Sequence, residues 1–309
     1  MSEDPKSESS PDDPSLHFAL PYDVALALTS NTFPGPVFHY TDQAGFLGIV
    51  RDKALWASDL RYLNDSREYL VGFERISAEL TAMTVGDKDL ATIVDEALSL
   101  ATIETAMGVS VASFSLAQDS LSQWRAYGSG SGGICIGFDS VKLAESILRT
   151  GSYIGAVRYS QAEQSDVVGK VCAEIVGDAR NVVAGKTHPK RFASRCTLSV
   201  QLACALMKHE KFAEEQEWRM VVWSQLPPFC KADVRPGKST LIPYISVHLD
   251  VVYNHAARDM EFSNELPLET VWIGPTPHPT LAVRGAESAL DMVGETATVK
   301  VSEVPFRNW

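Results

Sequence analysis

The chain has 309 residues, 45% hydrophobic and 21% charged, with a mean hydropathy of −0.04, so it can bury a full core and has the balance of a globular protein. A net charge of −12 and a pI near 5.1 argue against broad electrostatic capture of nucleic acid, which needs clustered Lys and Arg. The local basic group of Lys186, Lys190, Arg191 and Arg195 with His188 reads as a solvated helix entrance.

Residues 1–15 are acidic and rich in Ser and Pro, without an apolar stretch of signal-peptide kind, and are expected to be a disordered tail. Structure is expected from residue 16 to 309 as a single α+β domain with a helical insertion around 160–210. Val37 to Tyr40 reads as a short strand after the Pro34-Gly35-Pro36 turn, and Thr41 as the cap of a helix through about Arg51. Leu55 to Ser58 follows as an extended segment. Tyr69 to Met83 and Asp87 to Met107 are helical by period and are expected to pair as a hairpin across Val85-Gly86-Asp87. Val109 to Ser115 alternates as a strand, Ser120 to Tyr127 reads as a short helix, and Gly133 to Phe138 as a second strand. Lys142 to Arg149 is helical and Tyr153 to Tyr159 a strand. Gln161 to Val183 and Phe192 to His209 are longer helices. Strands over Glu217 to Trp223, Thr240 to Val252, Thr270 to Ile273 and Ala297 to Val304, with a helix over Thr280 to Met292, complete a mixed α+β pattern without regular βαβ spacing.

Cys135, Cys172, Cys196, Cys204 and Cys230 are odd in number, widely spaced and without a C-x-x-C pair, so they read as reduced core residues. No apolar run reaches the ~20 residues that cross a bilayer, so no membrane partner is expected and the cytoplasm is the expected location.

Glu215-Gln216-Glu217-Trp218-Arg219 carries the clearest chemical signal. Two carboxylates two positions apart on a strand project from one face and repel each other. Such a pair either faces water, binds a cation or works on a substrate. Asn64-Asp65-x-x-Glu68 reads either as a turn with an acid in the first helical turn or as a substrate contact. The glycine-rich run from Gly128 to Gly133 lacks the Gly-Lys-Ser/Thr ending of a phosphate loop and precedes a strand, so it reads as a connector. Trp124 and Tyr127 lie three apart on one helical face, where core packing and ligand stacking compete.

His39-Tyr40-Thr41, Leu55-Trp56-Ala57-Ser58 with Asn64-Asp65 and Glu68, Phe114-Ser115 with Trp124 to Gly128, and Glu215-x-Glu217-Trp218-Arg219 together resemble the signature series of a bacterial family, domain of unknown function 2971. The resemblance runs from Phe38 to Arg307 and includes Pro243-Tyr244-Ile245, Ile273-Gly274-Pro275 and Pro305-Phe306-Arg307. A more distant likeness is to the ADP-ribosyltransferase fold. That likeness implies a mixed, mainly antiparallel sheet core with inserted helices, and NAD as substrate. It implies that His39 holds the NAD, that Tyr127 stacks on nicotinamide and that Glu217 steadies the ribose, with Tyr40, Thr41 and Ser58 also at the dinucleotide.

A carboxylate beside the ribose stabilises the positive charge that develops when the glycosidic bond breaks. Glu215 is then placed to address the nucleophile, and Asn64, Asp65, Glu68, Trp124 and Arg219 the substrate. The expected activity is ADP-ribosyl transfer to a protein or nucleic-acid acceptor, or NAD hydrolysis, in a toxin or phage-defence setting. Two alternatives stand beside it: a metal-dependent nuclease or hydrolase using His39, Asp65, Glu68, Glu215 and Glu217, and a non-catalytic sensor or interaction module.

Overall fold

The computed structural model describes residues 22–63, 66–102, 108–128, 132–223, 229–237, 239–254, 257 and 259–305; at 22, 23 and 66–68 it describes the backbone alone. Asn64, Asp65 and the side chain of Glu68 lie outside the described residues, as do Phe306 and Arg307.

In chain order the elements run α1 (Tyr22–Leu28), β1 (Val37–Thr41), α2 (Gln43–Asp52), β2 (Ala54–Asp59), α3 (Ser66–Thr84), α4 (Lys88–Ser99), β3 (Val109–Ser115), α5 (Leu121–Tyr127), β4 (Ile134–Phe138) and α6 (Ser140–Arg149). They continue with β5 (Tyr153–Ala156), α7 (Gln161–Val183), α8 (Pro189–Ala205), β6 (Glu217–Trp223), β7 (Cys230–Pro236), β8 (Leu241–His248), β9 (Val251–Asn254) and β10 (Asp259–Phe262). The series closes with β11 (Leu268–Ile273), α9 (Pro279–Val293) and β12 (Thr298–Val301). The fold is α+β, with a mixed, mainly antiparallel open sheet.

Several boundaries differ from the sequence expectation for identifiable reasons. Thr41 still pairs with Ile134 in the sheet, so the cap of α2 passes to Asp42, whose Oδ1 accepts from the Gly45 amide at 2.7 Å. Helix α8 stops at Ala205 because Met207 bridges to Arg158 in extended conformation. The expected strand from Thr240 to Val252 breaks at Leu249-Asp250 into β8 and β9. Strand β7 escaped the sequence reading because it lies at the sheet edge, where exposed Lys231, Asp233 and half-buried Arg235 interrupt any apolar alternation.

The chain divides into two compact units. One comprises residues 1–27, 69–106 and 165–204, and its described elements are helical. Ile76 and Leu80 of α3, Leu90 of α4, Val171 of α7 and Phe192 of α8 are all but inaccessible to water, the burial that holds such helices together. The Tyr69 hydroxyl donates to the Ala101 carbonyl at 2.5 Å inside this core.

The second unit comprises residues 28–68, 107–164 and 205–309 and carries the sheet, in the order β12-β11-β4-β1-β3-β2-β8-β7, with β6 on β3 and β5 on β6. Strands β11 and β12 are parallel, and the other described ladders are antiparallel. One face presents Leu55, Phe114, Ile136, Met220, Val222 and Val247 to a core completed by Phe46 and Val50 of α2, Ile147 of α6 and Leu290 of α9. Directly opposed residues share a face, so the pairs Phe38 with Ser115, Ser115 with Glu217, Ser113 with Arg219 and Ser58 with Val111 gather Phe38, Tyr40, Ser58, Ser113, Ser115, Glu217 and Arg219 on the other face.

Strand β3 has three neighbours. Strand β6 pairs along its full length, so β1, which meets it at Ser115, and β2, which meets it at Ser110 and Val111, share the opposite edge. The two part around Ser113. No described strand faces the Ser113 carbonyl on that edge, and the His39 ring takes the place: Nδ1 lies 2.8 Å from that oxygen and must donate, since a carbonyl only accepts.

Candidate active site

The site builds outward from Glu217, the first residue of β6. Its backbone N–H donates to the Tyr159 hydroxyl at 2.8 Å. Its carboxylate is 6% exposed and accepts from Arg219, Nε to Oε1 at 2.8 Å and Nη2 to Oε2 at 3.1 Å. The Lys208 ammonium reaches Oε2 at 3.1 Å, and the Ser113 hydroxyl, from the neighbouring strand, also hydrogen-bonds the carboxylate. Burial alone drives a carboxyl toward the neutral form, but Arg219, Lys208 and Ser113 together outweigh it and hold the Glu217 pKa down at about 2.

Lys208 joins the two glutamates. Its Nζ lies 2.5 Å from Glu215 Oε2 and 5.0 Å from the Phe212 ring centroid. Desolvation would lower its pKa, yet the two carboxylates more than offset this and raise it. Arg219 is internal: besides Glu217 it donates Nη1 to the Ala205 carbonyl at 2.6 Å. The four charges cancel in pairs, which is how a buried ionic cluster avoids the full cost of desolvation.

Glu215 does not open the strand as its sequence spacing suggests. It closes a short 3₁₀ turn over Glu210–Glu215, and Gln216 follows with φ of 45°, in the left-handed region. The two carboxylates therefore meet through Lys208 and not by projecting from one pleat. Glu215 keeps more access to water, its side chain 25% exposed.

Tyr127, the last residue of α5, belongs to the same cluster. Its ring is 44% exposed, while its phenol is pushed up first by desolvation and then by the negative charge of Glu217 and Glu215. Trp124, one turn earlier, is only 1% exposed, packs edge-on against Tyr40 at 4.9 Å and gives Nε1 to Asp119 at 2.7 Å. It belongs to the core.

His39 is half-buried and on the opposite face from Glu217, with its ring 6.0 Å from Phe114. Desolvation lowers its pKa despite the Ser113 hydrogen bond, so it is neutral at pH 7. His39 and Glu217 are thus not side by side; each holds Ser113, one by the carbonyl and one by the hydroxyl. Tyr40 is committed elsewhere: its hydroxyl donates to the Ala117 carbonyl at 2.8 Å and accepts from the Ser120 amide at 3.0 Å. Thr41 sits against Gly45 of α2, and Ser58 receives Arg235 at 3.0 Å.

Lys208, Tyr159 and Ser113 were not singled out in the sequence. Lys208 lies in an irregular segment, and only Ser113, in alternation with Ser115 on a buried strand, left a readable trace. Among the described residues no group of three His, Cys, Asp or Glu is arranged to hold a metal ion, and no helix is long and apolar enough to cross a membrane.

No match was found among curated proteins or among solved structures. Residues 123–220 match the family model described as Protein of unknown function (DUF2971), a stretch that holds Tyr127, Lys208, Glu215, Glu217 and Arg219 and supports the family relationship read from the motifs.

Proposed function

We propose that the Glu217 cluster cleaves the nicotinamide–ribose bond of NAD and passes the ADP-ribosyl group to an acceptor or to water, as the likeness to ADP-ribosyltransferases implies. The observation that carries this reading is a buried glutamate held ionised between Arg219 and Lys208, with the half-exposed Tyr127 near enough to feel its charge. As the C–N bond breaks, its electron pair leaves with nicotinamide and positive charge grows on the ribose, where a fixed carboxylate stabilises it. The acceptor oxygen adds to the same carbon, and its proton passes to Glu215, the more accessible carboxylate. Lys208 holds the pair at a fixed spacing and Tyr127 contacts the substrate. His39 acts as a positioning residue through Ser113.

A metal-dependent mechanism is disfavoured, because a divalent cation at Glu217 would meet the positive charges of Arg219 and Lys208. A non-catalytic module is the reading that one observation favours: the bidentate grip of Arg219 already occupies both Glu217 oxygens.

Nicotinamide release decides between them. Wild-type protein supplied with NAD is expected to release nicotinamide, chelator is expected to leave the rate unchanged, and NAD is expected to raise the melting temperature by binding the native state. The half-exposed Tyr127→Phe variant is expected to fold normally and release at least 10-fold less. Absence of release with protein, nucleic-acid and water acceptors would overturn the transferase reading in favour of the module.

A further inference from the structure

We infer that the face formed by β2, β8 and β7 binds a phosphate group of a nucleotide, with Arg235 and Trp56 as its donors. This deepens the proposed NAD reading by naming where the diphosphate sits. Ser58 and Trp56 alternate on β2, and the β2–β8–β7 pairings set them on one face with Tyr244 and Arg235. It is also the face of Ser113 and Glu217, since Ser58 opposes Val111, two residues before Ser113 on β3. One strand spacing, ~4.8 Å, and two residues of rise, ~7 Å, separate the two serines.

Two donors there are unsatisfied. Trp56 Nε1 and Arg235 Nε are buried without a hydrogen-bond partner, and the Ser58 hydroxyl on the same face accepts Arg235 Nη2 at 3.0 Å. Arg235 has no ion pair among the described residues, although Asp233 and Asp52 influence the neighbouring Tyr244. A planar guanidinium with an unsatisfied N–H, on the same sheet face as an orphaned indole N–H, matches an acceptor-only, negatively charged oxygen cluster. Carboxylate and phosphate share that chemistry. Phosphate is favoured because the aromatic pair Trp56 and Tyr244, ring centroids 5.1 Å apart, suits the base or sugar attached to it. Both hydrogens are shielded from water in this conformation, so the ligand must turn the half-exposed Arg235 edge-on.

The test is titration of the full chain with ADP, followed by calorimetry and Trp fluorescence, with succinate as the carboxylate arm. Wild type is expected to bind ADP and not succinate. Arg235→Gln is expected to weaken ADP at least 10-fold and Arg235→Lys to recover only part, because a lysine supplies charge without the fork. Circular dichroism melts check that both variants fold, and Trp56→Phe, which removes the indole donor alone, gives a second route to the same site. ADP binding that ignores Arg235 and Trp56, or no ADP binding at millimolar concentration, overturns the inference. ADP binding through Arg235 without any nicotinamide release leaves it standing while the proposed reaction falls, and release with unchanged NAD affinity in Arg235→Gln does the reverse.

Discussion

His39 and Glu217 hold the same residue from opposite sides of the sheet: the imidazole takes the Ser113 carbonyl and the carboxylate takes the Ser113 hydroxyl. The two therefore share one residue of β3. The first prediction follows from that coupling. Ser113→Ala keeps the carbonyl and loses the hydroxyl, so it is expected to cost about 1 kcal/mol in urea denaturation and to lower kcat for NAD cleavage with little change in KM. A loss of affinity with unchanged kcat would mean that Ser113 touches the ground-state ligand instead.

The two glutamates are expected to separate. Glu217→Gln leaves Arg219 and Lys208 buried without their counter-charge, so it is expected to lose about 3–5 kcal/mol of stability as well as 10²-fold or more of activity. Glu215→Gln is expected to cost under about 1 kcal/mol, because its partner Lys208 retains Glu217 and its own side chain is part-exposed. Its transfer to an acceptor is expected to fall while NAD hydrolysis persists. Equal stability losses from both substitutions would show that Lys208 depends on the two carboxylates alike.

Acid is expected to destabilise the fold in two windows. The folded pKa of Glu217 is about 2 against an ordinary 4.5, so its contribution is complete above pH 4.5 and is lost as the pH falls toward 2. The amount is on the order of 3 kcal/mol. His39 is lowered from 6.5, so its neutral form favours the native state above that value and stability declines as the pH drops below it. Urea midpoints measured across pH 2 to 8 check both, and Glu217→Gln should flatten the lower window alone.

His39 is expected to be the Nδ1–H tautomer at pH 7, because Nδ1 faces a carbonyl. Long-range nitrogen–proton correlation spectra distinguish this from the Nε2–H form or from imidazolium. Detection of either would mean that the ring does not serve the Ser113 carbonyl in solution.

Much of the sheet was legible because its central strands are short runs of apolar, aromatic and β-branched residues: Val109 to Ser115, Ile134 to Phe138 and Glu217 to Trp223 are buried on both faces and stand close to where pattern reading puts them. What could not be read were the pairings. Nothing in Leu55-Trp56-Ala57-Ser58 announces that β8 lies beside it, nearly 190 residues later. The site was half visible. Glu217 stood out as a carboxylate opening a strand of mostly apolar residues, whereas Lys208 was hidden in a helix read four residues too long, and Glu215 was misplaced because Gln216 adopts φ of 45°, a conformation uncommon for a residue with a side chain. Trp124 and Tyr127 show the limit of helical spacing: the two lie three apart, yet one is core and the other, the last residue of α5, is exposed.

The three-way pairing of β3 has a consequence for synthesis. Its partners β1 and β2 precede it, but β6, which covers its whole other edge, follows about 100 residues later, after α7 and α8. At roughly 5–20 residues per second the edge stays bare for some 5–20 seconds on the ribosome. During that interval Val109 to Ser115 is a half-paired apolar strand, open to pairing with a neighbouring nascent chain. Codon pauses between Tyr153 and Glu217 should lower the soluble yield, and pauses after Trp223 should not.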